Sequence, residues 1–208
     1  NEIEAARTMD ELHKLQLKYA KLGYGIQFNS YFSADDKNVS MNILSLQQGG
    51  LTLEQRDYYL NNDSATVSLR QAYKAHIARM FRLYGFDEAQ AAQRSNDIFR
   101  IETLLALVSK SNTELRDPKA NYNKMSLKEF ESNYPNIPLR ALAQAEGVKL
   151  ADIQEMIVGQ PQFMTGLDHI SSFYTPNQLK ALMEWDVIQT SASYLTDEIR
   201  EANYDFFG

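Results

Sequence analysis

The chain has 208 residues, 44% hydrophobic and 23% charged, which suits one large domain or two small ones with a real core. Lys plus Arg is 21 against 27 Asp plus Glu, a formal net charge of -6 with no dense basic run, so nucleic-acid binding has no electrostatic support. No apolar run approaches the roughly 20 residues that span a bilayer, and the lack of cysteine removes disulfides, thiolate metal sites and cysteine nucleophiles.

The chain opens on Asn1 without an initiator Met, which points to a processed protein or to a piece cut from something longer. Residues 3–22 predict a helix, with Ile3, Met9, Leu12, Leu15 and Leu22 on a loose apolar stripe and Gly23 and Gly25 as its stop. From Ile26 the period becomes two, as Ile26, Phe28, Ser30 and Phe32 alternate with Gln27, Asn29 and Tyr31. Asp35-Asp36-Lys37-Asn38 supplies turn chemistry and the alternation resumes at Val39. The pattern predicts a β-hairpin, residues 26–33 paired with 39–47.

Gly49-Gly50 then allows backbone torsions closed to other residues. Thr52, with Gln55 three places on, has the spacing of a capping box that opens a helix. Residues 49–60 therefore read as a hinge between strand-like alternation and a series of helices.

Beyond the hinge, Asp63 or Ser64 caps a helix carrying Tyr73, Ile77, Met80 and Phe81, closed by Gly85. Asp87 with Gln90 opens a long helix to Lys110, whose stripe is Ile98, Ile101, Leu104, Leu105 and Val108. Residues 113–123 form a polar loop. Ser126 with Glu129 opens a short helix that stops near Tyr134-Pro135, and residues 138–146 form another, ended by Gly147. Residues 153–158 are a strand or one extended segment.

Pro161 suits the first position of a helix through Phe173, and Thr175 with Gln178 starts the last long helix. Leu179, Leu182, Met183, Trp185, Ile188, Ala192 and Leu195 line its buried side. The expected fold is mainly α, a multi-helix domain with a small β-hairpin near its N-terminus, at about residues 26–47. One domain, 1–208, is expected: helix plus hairpin over 1–48, hinge over 49–60, and helical bundle over 61–208.

The residues alone display no catalytic constellation. His13, His76 and His169 stand apart from one another and from other ligand types, and no H-E-x-x-H pair places two imidazoles on one helical face. There is no G-x-S-x-G nucleophile elbow and no glycine-rich phosphate loop. Asp35-Asp36 lies in a hairpin turn and lacks the alternating oxygen ligands of a calcium loop. No catalytic or metal residue is assigned, and the sequence names no substrate-binding residue.

Several short motifs nevertheless occur together in order. They are Asp35-Asp36-Lys37-Asn38, Gly50-Leu51-Thr52-Leu53, Arg56-Asp57-Tyr58-Tyr59 and Ile101-Glu102-Thr103, followed by Arg116-Asp117-Pro118, Tyr122-Asn123-Lys124-Met125, Tyr134-Pro135 and Trp185. Across about the whole chain this set resembles the neprilysin family of zinc metallopeptidases, which includes the endothelin-converting enzymes and bacterial endopeptidase O. Each motif alone is weak, whereas the pairing of G-L-x-L-x-x-R-D-Y-Y with R-D-P-x-x-x-Y-N-K-M is specific.

The resemblance implies a non-catalytic, mostly helical domain that caps a catalytic domain of the same polypeptide and encloses a chamber admitting small peptides. It also implies a zinc held by H-E-x-x-H and a later Glu, all beyond the equivalent of Gly208, so no zinc or catalytic residue carries over and no cofactor is expected in this chain. Peptide substrates and an exported, periplasmic or extracellular placement are further implications.

The signature residues Gly50, Arg56, Asp57, Tyr58, Tyr59, Arg116, Asp117, Pro118, Tyr122, Asn123 and Trp185 are read as structural. Arg56-Asp57 and Arg116-Asp117 suit ion pairs or loop clamps, and the tyrosines offer large buried faces with hydroxyls that need partners. Two rival readings stand beside this one: an independent helical interaction module, and a domain of a family member that has lost its zinc motif.

Overall fold

The computed structural model describes residues 1–208. Thr8 and Glu11 form a reciprocal capping box, so the expected first helix is two: α1 (Glu2–Ala5) and α2 (Met9–Ala20). Leu22 lies past the end of α2 and is 65% exposed, not part of a buried stripe. The hairpin forms as expected, with β1 (Phe28–Asp35) antiparallel to β2 (Asn38–Gln48) in a register that sets Phe32 opposite Leu44.

The hinge differs from expectation. Thr52 caps no helix; turns lead instead to a single helical turn, α3 (Asp57–Leu60), whose N-cap Arg56 makes no side-chain capping bond. The long helices follow their local signals. Asp63 caps α4 (Ser64–Leu83), and Asp87 with Gln90 closes the capping box of α5 (Glu88–Val108).

The loop after α5 carries a short 3-10 turn, Glu114–Arg116, and then a strand that the sequence pattern does not announce, β3 (Lys124–Ser126). Ser126 and Glu129 cap α6 (Leu127–Asn133), and α7 (Leu139–Ala145) follows. The open choice over residues 153–158 resolves into a 3-10 turn, Leu150–Ile153, and β4 (Glu155–Val158). The hairpin is thus half of a four-stranded sheet ordered β1-β2-β4-β3, with β2 and β4 parallel.

Pro161 begins α8 (Pro161–Ser171), and Thr175 with Gln178 caps α9 (Pro176–Ser191). A 3-10 turn at Ala192–Tyr194 breaks the last helical stretch before α10 (Asp197–Phe207), which leaves Leu195 36% exposed and outside the core.

Helix α5 stands between two cores. Ile101 and Leu105 pack with Leu46, Phe130, Met156 and Phe163 around the sheet. Ala91, Ile98 and Ala106 pack with Tyr73, Phe81 and Trp185 among the helices. Leu104 falls on the outer side and is 38% exposed, unlike the rest of the predicted stripe. A smaller cluster joins Ile3 and Leu12 to Leu179 and Met183 of α9. Arg94 ties this corner together by bonding Glu184 at 3.0 Å and Glu4 at 2.6 Å.

Candidate functional site

The most polar point of the interior is the carboxylate of Glu102, buried on α5 where the two cores meet. Tyr59 of α3 donates its hydroxyl to Oε2 at 2.7 Å, Tyr73 of α4 donates to Oε2 at 2.8 Å, and Thr52 donates to Oε1 at 2.7 Å. Behind these hydroxyls stand further donors. The Trp185 indole N–H reaches Thr52 Oγ1 at 3.2 Å, and the Leu53 N–H reaches the Tyr59 oxygen at 2.9 Å. The protons of the network all run toward Glu102, an arrangement that satisfies an ionised carboxylate.

Burial pushes the Glu102 carboxyl up to about 7, against the hydroxyls of Tyr59, Thr52 and Tyr73, which pull it down. Burial, and then the Glu102 charge, holds the Tyr59 and Tyr73 hydroxyls well above their ordinary range. His76 of α4 is a neighbour through Trp185, at 5.9 Å between ring centroids, and stacks on Phe206 of α10 at 4.7 Å. Burial first, and Arg79 second, lower its imidazole to about 4, and its Nε2 has no hydrogen-bond partner.

A cleft of about 550 Å³ opens over this network, between the 52–58 segment and α10. Thr52 forms part of its wall, so Glu102 lies one hydroxyl behind the surface. Gln189, Asn203, Phe206 and Phe207 supply the far side. On the near rim, Glu54 is the chain's non-glycine residue with a positive φ, 61°. Strain of that kind persists where surrounding structure over-determines it.

The predicted signature residues fall into two groups. Around the hinge, Gly50 takes a φ of 75°, and a Cβ there would lie 3.1 Å from the Gln27 Cα, so both the torsion and the close approach require glycine. Arg56 does not pair with Asp57. Its Nη1 donates to the Ser109 carbonyl at the end of α5, at 2.7 Å, and Asp57 sits exposed in the first turn of α3. Tyr59 and Trp185 belong to the Glu102 network, whereas Tyr58 lines the cleft and is 37% exposed.

The second group lies at the far edge of the sheet. Tyr122 donates to the buried Asp35 at 2.8 Å, and Asn123 donates to the Val158 carbonyl at 3.1 Å. The Lys37 N–H and the Tyr122 hydroxyl hold the Asp35 carboxyl below its usual range. Asp117 folds its own loop by accepting from the N–H groups of Lys119 and Ala120 at 2.9 and 3.1 Å, with exposed Pro118 between them in sequence. Arg116 joins no ion pair.

Sequence reasoning quoted Glu102 only as part of the Ile101-Glu102-Thr103 motif and gave it no role; it did not single out Tyr73 as a donor, or Gln189. One signal for Glu102 was present. It sits four residues after Ile98 and one after Ile101, on the apolar face of α5 and not opposite it.

The amino-terminal model of Peptidase family M13 matches residues 1–208. Mouse neprilysin is 25% identical over 206 residues, covering 90% of this chain and 27% of that protein. Rat endothelin-converting enzyme-like 1 is 26% identical over 181 residues, 86% of this chain and 23% of that protein. The chain thus spans about a quarter of the length of these relatives.

Among solved structures, the zinc metalloprotease Zmp1 of Mycobacterium tuberculosis in complex with inhibitor superposes with a TM-score of 0.90 at 24% identity, over 99% of this chain and 31% of that one. PepO from Lactobacillus rhamnosis HN001 gives 0.77 at 20% identity, over 98% and 32%. Both likenesses concern the fold. No three His, Asp or Glu side chains of this chain are grouped so as to hold a metal ion, so its residues do not fit a zinc site.

Proposed function

This chain belongs to peptidase family M13, as an amino-terminal domain homologous to neprilysin-like zinc metallopeptidases, and we propose that it is the non-catalytic wall of such an endopeptidase. In this reading it packs against a catalytic domain of the same polypeptide, encloses the chamber where peptides are cut, and restricts entry to small ones. The zinc and its ligands belong to that other domain, the substrates are peptides, and the parent protein is exported. No helix of this chain is long and apolar enough to cross a membrane.

The observation that carries the proposal is the match of the family's amino-terminal model to all of residues 1–208, a stretch only about a quarter as long as its relatives. Within the domain we read the hinge and sheet-edge residues as structural clasps: Arg56 on the end of α5, Tyr59 and Trp185 on Glu102, Tyr122 on Asp35. Such bonds hold the wall in one shape.

The size limit is testable on the full-length parent. A short peptide is to be compared with the same sequence displayed in a loop of a folded protein, with cleavage sites read by mass spectrometry. The proposal expects cleavage of the free peptide alone. Equal rates on both would remove the enclosing role.

A further inference from the structure

We infer that the cleft between the 52–58 segment and α10 binds the cationic side chain of a peptide, with Glu102 as its buried counter-charge. This concerns the 208-residue chain itself and does not depend on the parent's activity, so either reading can fail without the other.

Glu102 is a buried carboxylate without a cation. Its partners are the hydroxyls of Thr52, Tyr59 and Tyr73, and no Lys or Arg nitrogen lies within 4.0 Å of it. Three arginines of the hinge and α4 are engaged by other acceptors. Arg56 is turned to the Ser109 carbonyl, Arg70 to the carbonyl of Asn61, and Arg79 to Asp205. Buried charges are ordinarily paired, and the space left for a counter-ion is the cleft on the other side of Thr52.

The cleft is lined for a donor. Asn203 contributes a buried Oδ1 with no hydrogen-bond partner. Gln189 presents its Oε1 at 3.3 Å from Thr52 Oγ1, whose single proton is already given to Glu102 at 2.7 Å. Glu54, which lines the cleft and has a positive φ, adds an acidic side chain to it. Tyr58, Phe206 and Phe207 supply aromatic surface, which attracts a cation through the ring quadrupole. Acceptors with aromatic walls suit a guanidinium or ammonium and repel a carboxylate.

The test is an NMR titration of the 208-residue chain with N-acetyl-arginine amide, with the neutral isostere N-acetyl-citrulline amide as control. Side-chain amide signals of Gln189 and Asn203 and the Trp185 indole report on the cleft. The inference expects saturable shifts with the arginine probe, and binding weakened roughly tenfold or more by citrulline or by Glu102→Gln, since each removes one charge of the pair. Glu54→Gln, at the exposed rim, weakens binding by a smaller factor.

Absence of saturable shifts, equal binding of the citrulline probe, or unchanged affinity in Glu102→Gln overturns it. Should Glu102→Gln not fold, the wild type decides by pH. Affinity must fall between pH 7 and about 5.5 as Glu102 gains its proton, while Tyr59 and Tyr73 stay protonated and His76 stays neutral. A flat profile there overturns it equally.

Discussion

Thr52 and Glu102 are 50 residues apart in sequence, and the Thr52 hydroxyl proton lies on the Glu102 carboxylate at 2.7 Å. That bond fastens the hinge to the middle of α5, and Tyr59 and Tyr73 converge on the same carboxylate. Replacing Glu102 by Leu leaves the Tyr59 and Tyr73 hydroxyls without their acceptor in the core, at a cost of roughly 3–5 kcal/mol. Glu102→Gln keeps one acceptor oxygen and costs about 1–2 kcal/mol. Urea unfolding of the two variants checks the order; equal loss in both contradicts the network account.

The same network makes a prediction about pH. Glu102 has a folded pKa raised from 4.5 to about 7, so its contribution is full below 4.5 and is lost as pH rises through 7. His76 has a folded pKa lowered from 6.5 to about 4, so its contribution is present above 6.5 and is lost as pH falls through 4. Shifts of this size correspond to roughly 3 kcal/mol each as upper values. The two slopes oppose each other between about pH 4.5 and 6.5 and largely cancel. Relative to wild type, Glu102→Gln therefore loses stability on acidification through that window, and His76→Phe loses it as pH rises. Denaturant midpoints across the range give the answer, and parallel profiles for all three proteins contradict it.

Arg56 offers a more local test. Its guanidinium satisfies the Ser109 carbonyl at the end of α5, at 2.7 Å, and a charge-assisted bond of that kind contributes about 1.5–3 kcal/mol. Arg56→Ala should lower stability by that order, with hydrogen exchange quickening first at the last turn of α5. If protection there is unchanged, Arg56 is not a clasp.

Gly166 sits where α8 crosses α5, and a Cβ added there would meet the Val108 Cβ at 2.6 Å. Val108 is β-branched and cannot swing aside at that atom. Gly166→Ala should therefore destabilise by about 1–3 kcal/mol through overpacking, despite alanine's better helix propensity. A stabilised variant, read by thermal unfolding, would show that the helices part easily.

The parts of this fold legible in the sequence are those with local causes. Asp87/Gln90, Ser126/Glu129 and Thr175/Gln178 all form the capping boxes their spacing announces, because each needs only its own turn of helix. Thr8 and Glu11 carry the same spacing and break the first helix where the apolar stripe suggested continuity. Thr52 and Gln55 have it too, yet Thr52 spends its proton on a carboxylate brought by α5. A tertiary partner outcompeted the local one. The sheet was half visible for the same reason: the hairpin is local, whereas the parallel register of Leu44 with Met156 joins segments over a hundred residues apart, and β3 is too short to show a period. Of the site, Thr52, Tyr59, Glu102 and Trp185 were visible through their motifs. Glu102 and Gln189 acquire their meaning from packing.

In the proposed function this chain is a wall of the peptidase and not its catalyst. The direct measurement is peptide hydrolysis by the purified 208-residue chain and by the full-length parent, each with added zinc and with a chelator. A wall without catalytic groups requires chelator-sensitive cleavage by the parent and none by the 208-residue chain; chelator-sensitive cleavage by the chain alone rules that role out.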